Sequence, residues 1–219
     1  MRRLLGTAAA VAAFAIAAAA GAAESTASAK DGVATFASGC FWCTEHDFEN
    51  VPGVTKVISG YTGGTVANPS YQQVGMGGTG HAEAVEVHYD PSKVTYQQLL
   101  DTFWHDTDPL DARGQFCDKG DEYRSEIFYH DDEQKRLAEA SKVAIEQSHR
   151  FGDKQLVTKI APAGPFYPAE DYHQGYAKKN PVRYNFYRWN CGRDQRLTEL
   201  WGNDAVSAKV ASSETAKPQ

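Results

Sequence analysis

The chain has 219 residues, with 22 Lys and Arg against 28 Asp and Glu, a formal net charge of −6. That length suits one domain with a sizeable core, and the acidic balance argues against nucleic acid, whose phosphates clustered Lys and Arg would have to neutralise. Four cysteines are too few for a disulfide scaffold and point to reactive thiols or a metal site.

The first segment reads as an address. Arg2 and Arg3 begin it, an Ala-dominated apolar run covers residues 4–20, and Gly21, Ala22 and Ala23 precede Glu24. This is the pattern of a secretory signal over residues 1–23. The alternative is a retained anchor, for which the run is short and weakly hydrophobic. Cleavage removes two Arg and no acid, leaving 20 − 28 = −8. The expected location is the periplasm or the exterior, an oxidising place for thiols, with no membrane contact after cleavage. Residues 24–32 form a polar leader, 33–202 the domain, and 203–219 a loose polar tail.

Within the domain, residues 33–37 read as a strand, Ser38-Gly39 as a turn, and 41–50 as a helix stopped by Pro52-Gly53. Residues 54–61 form a second strand, followed by a glycine-rich loop. In the strand 83–89, period-2 alternation places Glu83 on the face of Val85, Val87 and Tyr89. An acid on an apolar face needs an explanation. Thr95 and Gln98 form a capping box, and Tyr96, Leu99, Leu100, Phe103 and Trp104 a helical stripe. A polar loop over 109–125, a strand at 127–129, a surface helix over 132–150, a strand at 156–160 and a short helix near 170–178 complete the pattern. Without strict βαβ spacing this predicts an α+β fold. The expected form is a mixed-sheet two-layer α/β sandwich with a ferredoxin-like core, additional helices and a long irregular C-terminal segment.

Ser38-Gly39-Cys40-Phe41-Trp42-Cys43 is the sharpest local feature. Strand, turn and helix put Cys40 at a helix N-terminus, where free N–H groups favour an anion and are expected to lower the thiol pKa. Cys43 shares its helix face. Three readings stay open: a nucleophile with its resolving partner, two inert buried thiols, or half of a zinc knuckle whose second half is missing. The first, on these residues alone, also admits a general thiol–disulfide oxidoreductase. At least one of Phe41 and Trp42 is expected to line a pocket, which would suit a small apolar group on sulfur. A desolvated Glu83 is expected to stay protonated near neutrality. A thiolate, a neutral acid and an aromatic pocket suit attack on a sulfoxide, whose oxygen leaves only as it is protonated.

The chain then resembles the peptide-methionine (S)-S-oxide reductase family. The motifs are Gly-Cys-Phe-Trp at 39–42, Gly-Tyr-Thr-Gly-Gly at 60–64, Asn-Pro-Ser-Tyr at 68–71 and Thr-Gly-His-Ala-Glu-Ala-Val at 79–85. Tyr-Asp-Pro at 89–91, Asp-Lys-Gly-Asp-Glu-Tyr-Arg-Ser at 118–125 and Phe-Tyr-Pro-Ala-Glu-Asp-Tyr-His-Gln at 166–174 continue them. The resemblance implies reduction of the S epimer of methionine sulfoxide, free or in proteins. Cys40 would attack sulfur and become a sulfenic acid, and Glu83 would protonate the oxygen. Tyr71 and Tyr123 would hydrogen-bond that oxygen, Asp118 would order the pocket, and Phe41 and Trp42 would hold the S-methyl group. It further implies a thioredoxin-like reductant, no bound cofactor, no metal and a monomer. His81 and His173 are read as structural. Two departures stand out: Asn185 occupies the place of a recycling cysteine common among relatives, and Cys117 stands where another branch has asparagine. The resolving thiol is expected to be Cys43, with Cys191 the runner-up and Cys117 a third choice.

Overall fold

The computed structural model describes residues 31–205. The signal segment, the leader up to residue 30 and the tail from residue 206 lie outside the described residues. In chain order the elements are β1 (Gly32–Ser38), α1 (Phe41–Glu49), β2 (Val54–Thr62), α2 (Tyr71–Gly75), β3 (Ala82–Tyr89) and α3 (Tyr96–His105). Next come β4 (Gly114–Gln115), β5 (Asp118–Lys119), a 3-10 turn (Asp121–Tyr123), β6 (Ser125–Tyr129) and α4 (Asp132–Gln147). β7 (Lys159–Pro162), β8 (Tyr167–Pro168), α5 (Tyr176–Lys179), α6 (Pro181–Cys191) and α7 (Arg193–Trp201) follow.

One six-stranded sheet has the order β7-β6-β1-β3-β2-β8. Among the described residues only β6 and β7 pair in parallel, so the sheet is mixed as expected. Alternation decides its faces. Ala34 and Phe36 of β1, Val57 and Tyr61 of β2, and Val85 and Val87 of β3 face one core with Phe41 and Phe48 of α1 and Leu99, Leu100 and Phe103 of α3. Phe36 stacks on Phe48 at 5.0 Å and on Phe103 at 5.3 Å between ring centroids, a large apolar contribution to packing the helix layer. The opposite face carries small residues, Ala37, Ala82 and Ala84, with Phe128. Ala161 of β7 and the loop residues Ala163 and Phe166 cover it, so that side needs no helix layer.

The capping box of α3 is present, with Thr95 accepting from the Gln98 N–H. A second one, Ser70 with Gln73, starts α2 inside what reads in sequence as a glycine-rich loop. The 109–125 loop contains the β4–β5 hairpin. The strand expected at 156–160 begins at Lys159, because pairing to β6 starts opposite Glu126, while Leu156 is buried in the core. The helix expected near 170–178 shrinks to one turn, since Glu170 and Gln174 bond other parts of the chain instead and Gly175 sits at φ +60°. The C-terminal segment is irregular only as far as α5: α6 and α7 follow, separated by Gly192 at φ +69°. Their inward faces bury Tyr184 and Arg188, then Leu197, Leu200 and Trp201.

Candidate active site

The site grows from the turn between β1 and α1. Gly39 takes φ +85°, and a Cβ there would lie 2.5 Å from the Cβ of Gln115, so only glycine fits. Cys40 then becomes the N-cap residue of α1, with no cap hydrogen bond from its side chain. Its carbonyl accepts the N–H groups of Cys43 at 3.1 Å and Thr44 at 3.3 Å. Both Cys40 and Cys43 are free and buried.

Glu83 enters from β3, on the core face as its alternation predicts, and is 3% exposed. The Phe41 N–H donates to its Oε2 at 3.1 Å. The carboxyl therefore occupies the first free donor of α1, one residue beyond Cys40. This corrects the expected electrostatics. The helix start serves the carboxyl, not the sulfur, and the Cys40 thiol is pushed well above its ordinary value by burial first, with Cys43 and Glu83 adding to it; a hydrogen bond with Tyr187 acts the other way. The acidic thiol is Cys43. Its hydrogen bond with Cys40, opposed by burial and assisted by the guanidiniums of Arg193 and Arg188, brings it down to about 7. Burial, aided by the charges of Asp118 and Glu122, raises Glu83 to about 8 against the pull of the Phe41 N–H. Its carboxyl is thus protonated at neutral pH, as expected of a desolvated acid.

Tyr71 and Tyr123 come to the same place from α2 and the 3-10 turn. Their hydroxyls hydrogen-bond each other, and burial with the charges of Glu83 and Cys40 lifts the Tyr71 phenol to about 12. Tyr123 is raised by the same causes. Glu170, which sequence reasoning missed, holds this wall. Its Oε1 accepts the Tyr71 N–H at 2.9 Å, and its Oε2 accepts the Tyr61 hydroxyl at 2.9 Å.

Phe41 is buried, with its ring centroid 5.8 Å from Tyr61, 6.4 Å from Tyr71 and 5.0 Å from His173. Trp42 is half-buried, stacks on Tyr176 at 3.7 Å and donates its Nε1–H to His173 Nδ1 at 2.9 Å. His173 thereby fixes Trp42, and its ring also lies 4.4 Å from Tyr71. His81 organises a loop: its Nδ1 accepts the Gly64 N–H and its Nε2–H donates to the Val66 carbonyl.

The other two cysteines form a disulfide, Cys117–Cys191, with Cα atoms 5.0 Å apart. This pairing was not among the sequence expectations. Cys191, the runner-up resolving thiol, and Cys117 are bonded to each other in this state and are not free to attack. Cys117, Asp118 and Cys191 have ligand atoms within 4.8 Å of one another, but sulfurs joined in a bridge cannot coordinate a metal as thiolates. Asp118 stands between the two cysteine pairs. Its Oδ2 accepts the Tyr187 hydroxyl at 2.5 Å, and that hydroxyl also hydrogen-bonds Cys40. Burial raises Asp118, opposed by Tyr187, Arg193 and Lys119. Arg193 is itself fully buried, donating to Asp106 Oδ2 at 2.8 Å and to the Ser38 carbonyl at 3.1 Å. Neither Tyr187 nor Arg193 was singled out in the sequence. The visible signal was a spacing: residues 184, 187, 188 and 191 fall on one helix face, disguised by an inward arginine.

A neutral carboxyl beside a coupled thiol pair suits reduction at a bond whose oxygen takes a proton as it departs. Fold and site define a thiol-dependent oxidoreductase. A family model described as peptide methionine sulfoxide reductase matches residues 32–205. The chain is 53% identical over 171 residues to the peptide methionine sulfoxide reductase MsrA of Limosilactobacillus reuteri, covering 78% of this chain and 97% of that one. It is 51% identical over 175 residues to the protein of the same name from Bacillus subtilis, covering 80% and 98%. Among solved structures it is similar to Mxr1 from Saccharomyces cerevisiae in reduced form, with TM-score 0.63, 37% identity, and 69% and 87% of the two chains covered. Methionine sulfoxide reductase A of Corynebacterium diphtheriae gives TM-score 0.62 and 32% identity, over 69% and 76%. The chain belongs to the peptide methionine sulfoxide reductase family.

Proposed function

We propose that the chain reduces the S epimer of methionine sulfoxide, free and protein-bound, to methionine. Cys40 Sγ attacks the sulfoxide sulfur while the Glu83 carboxyl protonates the oxygen. Sulfur–oxygen bond transfer leaves methionine and a Cys40 sulfenic acid. Tyr71 and Tyr123 hydroxyls donate to the same oxygen, Asp118 orders the opposite wall, and Phe41 and Trp42 contact the S-methyl group. The observation that carries this reading is the Phe41 N–H···Glu83 bond: it places beside the thiol a carboxyl that burial keeps neutral, as general acid assistance requires.

Cys43 is the resolving thiol. It shares the helix start with Cys40, is hydrogen-bonded to it and is the more acidic of the two, so its thiolate attacks the sulfenic sulfur and expels water. Because Cys40 and Cys43 are buried, an external thioredoxin-like dithiol exchanges first with the exposed Cys117–Cys191 bridge. The thiols so released then reduce Cys40–Cys43 by two thiol–disulfide exchanges. The scheme uses a monomer and no bound cofactor. The leader at residues 1–23 supports export to the periplasm or exterior; an intact Met1 on the exported protein sinks that part.

Single-turnover reduction of the separated sulfoxide epimers, followed by peptide mapping, tests the whole reading. One methionine per chain from the S epimer and a new Cys40–Cys43 bridge are expected. No release from either epimer overturns the activity, and a Cys40–Cys191 bridge overturns the role of Cys43.

A further inference from the structure

Burial raises an unanswered question about Cys40: what takes its proton. Six titratable groups face the sulfur from the surrounding elements. They are Cys43 on α1, Glu83 on β3, Tyr71 on α2, Tyr123 on the 3-10 turn, Tyr187 on α6 and, behind Tyr187, Asp118 on β5. Glu83 holds a proton that it must give to the oxygen. Tyr71 and Tyr123 hydrogen-bond each other and, in the function proposed above, donate to the sulfoxide oxygen. Cys43 must remain a thiolate to resolve the sulfenic acid, and accepting the Cys40 proton would quench it. That leaves the pair formed by Tyr187 and Asp118.

Resting on the function proposed above, we infer that Tyr187 and Asp118 form a proton relay that deprotonates Cys40 for attack and returns the proton when the sulfenic oxygen leaves. One hydroxyl is in contact with both ends. It donates to Asp118 Oδ2 at 2.5 Å and hydrogen-bonds the Cys40 sulfur. Its ring is held edge-on to Trp42, with centroids 5.8 Å apart. Asp118 also faces Arg193 and Lys119 and, across the site, Glu83.

The proton that Glu83 gives up returns from the thiols that later reduce the Cys40–Cys43 bridge, and the others stay within the relay. As the Cys40–sulfur contact forms, the thiol proton moves to Tyr187 Oη and the Tyr187 proton moves to Asp118. Glu83 gives its proton to the oxygen, which ends as the hydroxyl of the sulfenic acid while the bond to methionine breaks. Cys43 thiolate then attacks Cys40 Sγ, the S–O bond breaks, and the departing oxygen takes the proton back from Asp118 through Tyr187 as water. Asp118 returns to its ionised form for the next cycle.

Tyr187→Phe keeps the ring and removes the relay atom. Two measurements on it separate a chemical role from a structural one: single-turnover methionine release, and the pH profile of alkylation at Cys40 read by peptide mass. The expected results are an about 10²-fold slower release and a shift of the Cys40 alkylation profile to higher pH. Asp118→Asn should do the same, and the double variant should be no slower than either single one, since both cut one path. A Tyr187→Phe profile that superimposes on wild type overturns the relay, as does a double variant whose losses multiply. So does a profile that moves only in Cys43→Ser, which would make Cys43 the base. The alkylation profile needs no sulfoxide, so a wild-type protein that releases no methionine sinks the proposed function while the relay is still tested.

Discussion

The two cysteine pairs differ in every physical respect that matters to a thiol. Cys40 and Cys43 are three residues apart, free and buried at one helix start. Cys117 and Cys191 are 74 residues apart, bonded, and join the β4–β5 hairpin to the end of α6, with Cys117 exposed. Burial fits the first pair for chemistry that must exclude water around a departing oxygen. Exposure fits the second for exchange with another protein, because a disulfide is reduced only where an attacking thiolate can reach it. Asp118 and Tyr187 lie between them. In the function proposed above, burial divides substrate chemistry from electron entry, with one cysteine pair for each.

The largest effect that divides the pairs is loss of the nucleophile. Cys40→Ser should release no methionine in a single turnover, while the Cys117–Cys191 bridge still forms; release at the wild-type rate would assign the chemistry to another sulfur. Next comes the acid. Glu83→Gln retains an acceptor for the Phe41 N–H but has no proton to give, so single-turnover release should fall about 10²- to 10⁴-fold. In wild type the rate should decline as pH rises through about 8, where the Glu83 proton is lost. A wild-type rate flat from pH 6 to 10 would remove Glu83 from the step.

A smaller effect falls on the second pair. Cys117→Ser removes the exposed sulfur and leaves Cys40, Cys43 and Glu83 in place. Steady-state turnover driven by a thioredoxin-type protein should drop about 10- to 100-fold, a loss of about 1.4–2.7 kcal/mol. Equal turnover of both proteins with that donor would show that reductant reaches the buried pair directly.

The same contrast explains what was legible in the sequence. The first pair and Glu83 announce themselves locally. Gly39-Cys40 is a strand-to-helix turn, and strict alternation through Val85 and Val87 forces Glu83 inward. The second pair is set by tertiary geometry. Nothing about residues 117 and 191 separately shows that the β4–β5 hairpin meets the end of α6. Tyr187 and Arg193 were hidden for a related reason. Arg188 and Arg193 face inward to Asp47 and Asp106, and buried ion pairs erase the polar–apolar contrast by which a helix is recognised. Even the Cys40 pKa failed as a sequence expectation, because only the fold shows that the sulfur is buried and that Cys43 and Glu83 crowd it, the carboxyl taking the donor at the helix start.

The last expected effect concerns stability rather than turnover, and its sign is fixed by Glu83. Burial raises its folded pKa from 4.5 to about 8. A group raised in this way contributes its full stability below its unfolded value and loses it as pH climbs through the folded one. Between about pH 5 and 8 the unfolded chain holds Glu83 ionised while the folded chain must keep it protonated, and each unit of that window costs about 1.4 kcal/mol. Gln at this position is neutral throughout and has no such cost. Thermal unfolding of wild type and Glu83→Gln should therefore give similar Tm values near pH 4.5. The variant should lead at pH 9 by about 4 kcal/mol, or about 8–16 °C at 2–4 °C per kcal/mol for a chain of this size. The Cys117–Cys191 bridge, which does not titrate, should leave that gap unchanged when it is present in both proteins. A gap equally wide at both pH values would mean that the carboxyl is ionised in the folded protein, and the proton assigned to the departing oxygen would have no source.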